Sequence, residues 1–450
     1  MLRAISQRFN VAVEKFLPNA FIFAIILTFV TLIFGMVVGG ESLLTMIEFW
    51  YGGFWDFLAF TTQMILILIT GYALTQAPLI KKWMTNIAKK PKNQLSAITM
   101  TITVAAIAGY ISWGLGFVLG TLFAMEVARN VQTADYRILV AAAYTGTIAI
   151  LPASITVTAP LLVNTPGHSL EEQIGLVPLT ETIFSPVLLG VALVSVVVTI
   201  WAYRKMAPKP HDVRPFAHFA TDEIASSVEV QHENKPEPER TVATRLDNSK
   251  ILNYLIVLMG MTWIVIYFSQ NGFNLDLNIL NFMFIILGLA LHGSPQSYIK
   301  AITGGMPSAS GILLQFPFYA GIMGMMAGAG LITVIAQWFV SISNEFTYPV
   351  LSLIAAGFVN IFVPSAGGQW QIQGPIMVEA VQQMGIPVSV AINSVTIGDL
   401  LTNLLQPFFV LPALGLAGLS LKDIWGYCLV SMVLLFIVAA IGVTFIPIFL

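Results

Sequence analysis

Of the 450 residues, 57% are apolar and only 9% are charged, well below the roughly 25% charge of a typical soluble domain. The formal net charge of −2 singles out no charged partner, and no nucleic-acid partner is expected. With a mean hydropathy of +0.84 and apolar runs that are continuous rather than alternating, the chain reads as a polytopic α-helical membrane protein and not as a barrel.

Arg3, Arg8 and Lys15 precede the first apolar run, residues 21–38, and no small-residue cleavage site follows at a suitable distance, so this end is expected to be retained. Segment 39–54, with Glu41 and Glu48 but no Lys or Arg, is expected outside, and residues 57–74 return inward. The next loop holds Lys81, Lys82, Lys89, Lys90 and Lys92 without an acid, which the positive-inside rule places in the cytoplasm. The loop at 164–176 has Glu171 and Glu172 and no base, so it faces outward.

Between those two loops the chain crosses an odd number of times, although two apolar stretches lie there. The simplest solution is a re-entrant hairpin, residues 95–125, entered from the cytoplasm, followed by a crossing at 138–163. Gly109, Gly114, Gly116 and Gly120 would supply the turn, because glycine adopts either sign of φ. Irregular backbone at membrane depth survives only where protein buries it or it lines a cavity. Glu126 can pair with Arg129 one helical turn on.

After the span at 186–201, residues 204–250 form the only long hydrophilic stretch. His232-Glu-Asn-Lys-Pro-Glu-Pro-Glu-Arg240 has the composition of a solvated linker. His211, His218 and His232 lack metal-ligand spacing.

The second half repeats the pattern with opposite sense. Residues 251–268 cross outward, 277–291 return, and 311–339 cross again as one span. Residues 349–381 form a hairpin entered from outside, 388–414 cross as an interrupted helix, and 424–450 make the last span. This places every Lys and Arg on one side. The expected fold is therefore two inverted-topology repeats, each with a re-entrant hairpin and a broken helix, with about 11 membrane segments counting the hairpins. The units are 1–203, the first membrane repeat; 204–250, a cytoplasmic linker; and 251–450, a linking helix plus the second repeat. Spacings of similar size relate Gln63 to Gln315, Ser112-Trp113 to Asn360-Ile361 and Thr158-Ala-Pro160 to Leu405-Gln-Pro407.

Interrupted segments at matching positions mark a secondary transporter's binding site. No Lys or Arg is predicted at membrane depth, so an anion would be held by helix N-termini, amides and hydroxyls. The candidate substrate-binding residues are Trp113, Gly114 and Gly116 at the first hairpin, and Ser154 and Thr156 in the first broken span. At the second hairpin they are Ser365, Gly367, Gly368 and Gln369, and at the second break Asn403 and Gln406, where Pro407 interrupts the hydrogen-bond ladder. Trp113 and Trp370 can offer apolar walls.

Asp399 alone among the carboxylates lies well inside a span. It would either accept hydrogen bonds from backbone left open at the helix break or act as a cation ligand or proton carrier, with Asn360 and Asn403 as further coupling oxygens. Na+ and H+ both fit, and no other cofactor is expected. Cys428 reads as a small buried hydrophobe, and Gly324-Met-Met-Ala-Gly328 as a close-packing helix face that could also serve a subunit contact. A membrane protease would need a second aspartate or a Ser–His pair at depth, and a channel would not need opposed hairpins. No enzymatic activity is expected.

The chain resembles the bacterial short-chain fatty acid transporter family, a branch of the larger ion-transporter superfamily. The likeness runs over essentially the whole length. It is carried by Phe54-Trp-Asp-Phe-Leu-Ala-Phe60, Trp113-Gly-Leu-Gly116, Ala124-Met-Glu-Val-Ala-Arg129, Thr165-Pro-Gly167, Leu314-Gln-Phe-Pro-Phe-Tyr-Ala-Gly321, Val363-Pro-Ser365, Ile372-Gln-Gly-Pro375 and Gln406-Pro-Phe408. The chain departs from the family pattern at 150–155, Gln369 and Asp399. The resemblance implies uptake or exchange of short monocarboxylates such as acetoacetate or butyrate across the membrane, and the oxygens around Asp399 lead to the expectation of cation coupling. The resemblance also implies a bacterial inner-membrane homodimer with an elevator-like sliding domain, and Arg3, Arg8 and Lys15 place the N-terminus in the cytoplasm. The alternative cargo is another small organic anion, such as a dicarboxylate.

Overall fold

A computed structural model describes residues 20–219, 241–405 and 409–445. Arg3, Arg8, Lys15, His232 and Gln406 lie outside the described residues. Among the described residues the structure is helical throughout, and seven helices are long and apolar enough to cross a bilayer.

The first half runs α1 (Ala20–Val37), α2 (Leu43–Gly53), α3 (Leu58–Gln76), α4 (Pro78–Ala88), α5 (Gln94–Ile111), α6 (Trp113–Asn130), α7 (Tyr136–Ile150), α8 (Thr158–Val163), α9 (Glu171–Ile174) and α10 (Pro186–Met206). After the short α11 (Val242–Asp247), α12 (Lys250–Asn271) leads into the second half. That half runs α13 (Leu277–His292), α14 (Pro295–Gly305), α15 (Ser310–Gly328), α16 (Leu331–Ile342), α17 (Tyr348–Phe362), α18 (Ala366–Met384), α19 (Val388–Thr402), α20 (Leu411–Ala417) and α21 (Leu421–Thr444). The order of elements recurs: long, short, long, short, a hairpin (α5/α6 and α17/α18), a broken helix (α7/α8 and α19/α20), and a long closing helix. Contacts between the halves recur as well, with α3 on α13 and α15 on α1.

Side-chain caps set many of the helix starts. Asn93 and Ser96 form a reciprocal capping box at α5, Asp135 accepts from the Arg137 and Ile138 amides at α7, and Ser185 caps α10 with Pro186 next to it. α12 is the lipid-facing extreme: Ile251, Leu255, Leu258, Met259 and Trp263 are exposed, whereas every residue of α7 and α8 except Arg137 is buried. The broken helices thus sit at the centre of the bundle.

Four local outcomes differ from the sequence reading. First, the α5/α6 turn falls on Ser112, in extended conformation at φ −158°, and not on the glycines. Gly116 is a packing site, since a Cβ there would lie 2.7 Å from Gly109 Cα and 2.7 Å from Thr147 Cγ2. Second, most of segment 39–54 folds as α2. It takes up the Gly324–Gly328 face of α15 within the chain: a Cβ on Gly53 would lie 2.9 Å from Gly324 Cα, and one on Gly328 would meet the Phe49 ring at 2.5 Å. Third, the span expected at 311–339 divides into α15 and α16 at Gly330, whose φ of +66° suits glycine.

Fourth, the start of the expected solvated linker is docked. Phe216 is buried, edge-on to Tyr136 at 5.1 Å and 5.1 Å below the Arg129 guanidinium. The Arg214 amide donates to Asp135 Oδ2 (2.9 Å), and the Tyr136 amide to the Arg214 carbonyl (2.9 Å). Asp135 also holds Arg137 through both carboxylate oxygens. The ends of α6 and α7 are clasped by this segment.

The loop from Asn164 to Val177 forms a second tie. Thr165 Oγ1 accepts from the Leu277 amide at the start of α13, and Asn164 donates to Asn274 Oδ1 (2.7 Å). Further along, Ser169 donates to Gln371 Oε1 (2.6 Å), and Gln173 to Gln382 Oε1 (2.8 Å), both on α18.

Candidate functional site

Each hairpin is fastened to the break of the helix that follows it. In the first half the Trp113 amide donates to Thr156 Oγ1 (3.0 Å), Ser154 Oγ donates to the Gly109 carbonyl (2.7 Å), and the Ile155 amide donates to the Tyr110 carbonyl (2.9 Å). These contacts satisfy backbone exposed where Pro152 and the extended residues after it interrupt α7. In the second half Asn360 Nδ2 reaches the Asp399 carbonyl (2.8 Å), Thr402 Oγ1 (2.8 Å) and Asn403 Oδ1 (2.9 Å). The α17/α18 turn follows from Pro364, which disfavours helical backbone at Val363, and from Ser365, whose Oγ accepts from the Gly368 amide.

These elements enclose a cavity of about 60 Å3. Trp113 and Phe117 of α6 line it, with Leu151, Val157 and Thr158 from the first break. Ser365, Ala366 and Gly367 enter from the start of α18, and Leu400, Asn403 and Phe409 from the second break. Met64 of α3 and Ile312, Gln315 and Phe316 of α15 complete the wall. None of these lining residues is charged.

The lining is polar in one region and aromatic in another. Ser365, Gly367, Thr158 and Gln315 gather at the α18 N-terminus: a Cβ on Gly367 would meet Thr158 Cγ2 at 3.1 Å and the Phe60 ring at 2.5 Å. A Cβ on Gly368 would meet Tyr319 at 2.5 Å, and Tyr319 in turn donates to Gln315 Oε1 (3.1 Å). Only glycine allows these side chains so close to the turn. Ala366 and Gly367 precede the first helical hydrogen bond, so their amides have no intrahelical acceptor. Such a helix start attracts anions. In the aromatic region Phe117 stacks on Phe409 (5.9 Å, 18°) and on Tyr144 (5.4 Å, 30°), with the Trp113 ring edge-on to Phe409 at 6.2 Å.

Of the residues named from the sequence, Trp113, Ser365, Gly367 and Asn403 line the cavity together. Gly114 packs against Leu68 and Gly116 against Gly109 and Thr147, so both serve helix contacts. Ser154 and Thr156 lie behind the wall as fasteners of the first hairpin, and Gly368 makes room for Tyr319. Gln369 is buried and donates to the Ala356 carbonyl and to Gln373 Oε1, both at 2.8 Å, and Trp370 is buried in the core. Phe117, Phe409, Val157 and Met64 also line the cavity, but an apolar side chain in an apolar span carries no distinguishing signal in the sequence.

Asp399 is 3% exposed and lies beside the cavity rather than in its wall. Its Oδ1, together with Asn360 Oδ1 and Gln369 Oε1, accepts no hydrogen bond. Asn360 touches the Asp399 carbonyl, and Gln369 touches the carbonyl of Ala356, one turn before Asn360. Buried oxygens without donors are costly unless a proton or cation meets them. Among the described residues there is no His, Cys, Asp and Glu cluster that could hold a metal ion.

A family profile described as "Short chain fatty acid transporter" matches residues 1–446. A protein of Escherichia coli bearing the name "Putative short-chain fatty acid transporter" is 36% identical over 444 residues, covering 99% of this chain and 100% of that one. One of the same name from Haemophilus influenzae is 35% identical over 454 residues, again covering 99% and 100%. In fold the chain is similar to the Alcanivorax borkumensis YdaH transporter, described as having an unusual topology (TM-score 0.59, 14% identity, 95% of this chain and 98% of that one). It is also similar to Neisseria gonorrhoeae MtrF, of a class of antimetabolite efflux pumps (TM-score 0.53, 15% identity, 96% and 95%).

Proposed function

This chain belongs to the short-chain fatty acid transporter family, a transporter rather than an enzyme, and we propose that it carries short monocarboxylates such as acetoacetate or butyrate by cation-coupled alternating access. The observation that carries the reading is the divided cavity at the meeting point of both hairpins and both helix breaks. The carboxylate sits at the start of α18, against the amides of Ala366 and Gly367 and the hydroxyls of Ser365 and Thr158, and the hydrocarbon tail lies against Trp113, Phe117 and Phe409. A dicarboxylate fits less well, because its second charge would meet the aromatic region without a cation.

Coupling is assigned to Asp399, Asn360 and Gln369, with Asn403 joining them through Asn360. A Na+ held by their oxygens, or a proton on Asp399, answers the same need. The hairpins enter from opposite faces as inverted repeats, α5/α6 from the cytoplasm. The paired hairpins and broken helices move as one body against α1–α3 and α13–α15, in a homodimer of the bacterial inner membrane with its N-terminus inside.

The deciding experiment is uptake of labelled butyrate into liposomes holding the purified protein, under an imposed Na+ or pH gradient. Saturable, gradient-driven uptake is expected, and the effective gradient identifies the ion. No flux of any short carboxylate would overturn the cargo. Asp399→Asn is expected to abolish gradient-driven accumulation while leaving butyrate counterflow; unchanged accumulation would remove Asp399 from the coupling role.

A further inference from the structure

We infer that Phe117 and Phe409 form a stop that sets the longest acid this transporter accepts, an inference that rests on the carboxylate reading above. The two rings lie stacked at 5.9 Å and 18° at the apolar part of the cavity, and Trp113 meets Phe409 edge-on. Phe117 comes from the first hairpin and Phe409 from the second broken helix, so the stop is built from both halves of the chain.

The stop is backed on its far side. Tyr144, itself buried, stacks on Phe117 at 5.4 Å, and its hydroxyl is anchored 2.7 Å from the Asn403 carbonyl. Trp113 is held by the hydrogen bond that its backbone amide donates to Thr156 Oγ1. A tail that grew toward Phe117 would therefore press on a supported ring rather than on a mobile side chain. With the headgroup fixed at the α18 N-terminus, each added methylene must displace this wall. Filled and unfilled methylene positions in an apolar pocket discriminate by about tenfold or more. Head fixation and tail stop together act as a length gauge.

The test is competition of unlabelled straight-chain acids, from acetate to octanoate, against labelled butyrate in liposomes holding the full-length protein. The wild type is expected to lose competition sharply beyond the short acids. Phe117→Ala should extend the range by two or more carbons, with hexanoate gaining about tenfold or more relative to butyrate. Phe117→Trp should contract the range toward acetate. Phe117→Leu and Phe409→Leu, which keep apolar bulk, supply folded variants should alanine unfold the hairpin, and should extend the range in smaller steps. An unchanged order of competitors in every folded variant, with butyrate still carried, overturns the gauge and leaves the transport reading intact. A wild type that carries no carboxylate overturns the reading on which the gauge rests.

Discussion

Tyr144 donates its phenolic proton to the backbone carbonyl of Asn403 at 2.7 Å, joining the first broken helix to the break in the second. Both residues are buried. Tyr144→Phe keeps the ring stacked on Phe117 and removes only that bond. Leaving a buried carbonyl short of a donor costs about 1–3 kcal/mol. A lowered thermal unfolding midpoint in detergent is expected, with butyrate still transported.

Ser365 caps α18 and lines the polar part of the cavity, where its hydroxyl is the proposed donor to the carboxylate. Ser365→Ala should lose about 1 kcal/mol of stability with the cap. It should also raise KM for butyrate by about tenfold or more, since a hydrogen bond to a charged group contributes about 1.5–3 kcal/mol. Ser112 caps α6 in the same manner but does not line the cavity, so Ser112→Ala should show the stability loss with KM little changed. Equal KM values in the two variants would contradict the assignment of the headgroup to α18.

Two glycines of the first half should respond to substitution with opposite signs. Gly116→Ala forces a methyl to within 2.7 Å of Gly109 Cα, an overpacking cost of about 1–3 kcal/mol. Gly190→Ala in α10 adds a methyl with nothing within 4 Å and should stabilise by up to about 1 kcal/mol through helix propensity. Thermal unfolding of the two variants in the same detergent measures the contrast.

His168 gives the loop between α8 and α10 a pH dependence. Its Nδ1 accepts from the Leu170 amide (3.2 Å), which leaves Nε2 to donate to the Gly175 carbonyl (3.1 Å), an arrangement that only the neutral ring supports. Burial lowers its pKa from the ordinary value of 6.5. With the folded value below the unfolded one, the unfolded loop binds the proton more readily. The ring's contribution is thus fully present above about pH 6.5 and is lost as pH falls through the lower folded value. Protection of segment 164–177 against hydrogen exchange, taken relative to the intrinsic exchange rate at each pH, should fall below that pH, and His168→Ala should remove this change in protection.

Much of the architecture was legible because the bilayer restricts the options. Continuous apolar runs and the placement of Lys81–Lys92 against Glu171 and Glu172 imply the first hairpin, and the repeated pattern of the second half implies the other. The turn at Ser112 was misplaced because glycine has two uses, backbone freedom and close approach, and sequence cannot tell them apart. Gly116 serves the second and Gly330 the first. The polar part of the cavity stood out because Ser365 and Asn403 are unusual at depth. The aromatic stop did not, since Phe117 looks like any other core residue until Phe409, 292 positions further on, comes to stack against it. The docked segment around Phe216 was hidden by its polar neighbours, whose backbone carries much of the contact.

The two hairpins share a layout, each turning on a serine that caps its outgoing helix, yet their tips have diverged in employment. At Trp113 the leading amide is already taken by Thr156, which makes that tip an anchor. Ala366 and Gly367 line the cavity with amides that have no intrahelical acceptor, which leaves the second tip open to the proposed carboxylate. A protein assembled from two like halves would otherwise have to seat a one-headed cargo on a two-fold axis, where head and tail could be interchanged. In the proposed reading, disabling one of two equivalent seats gives the cargo a single orientation.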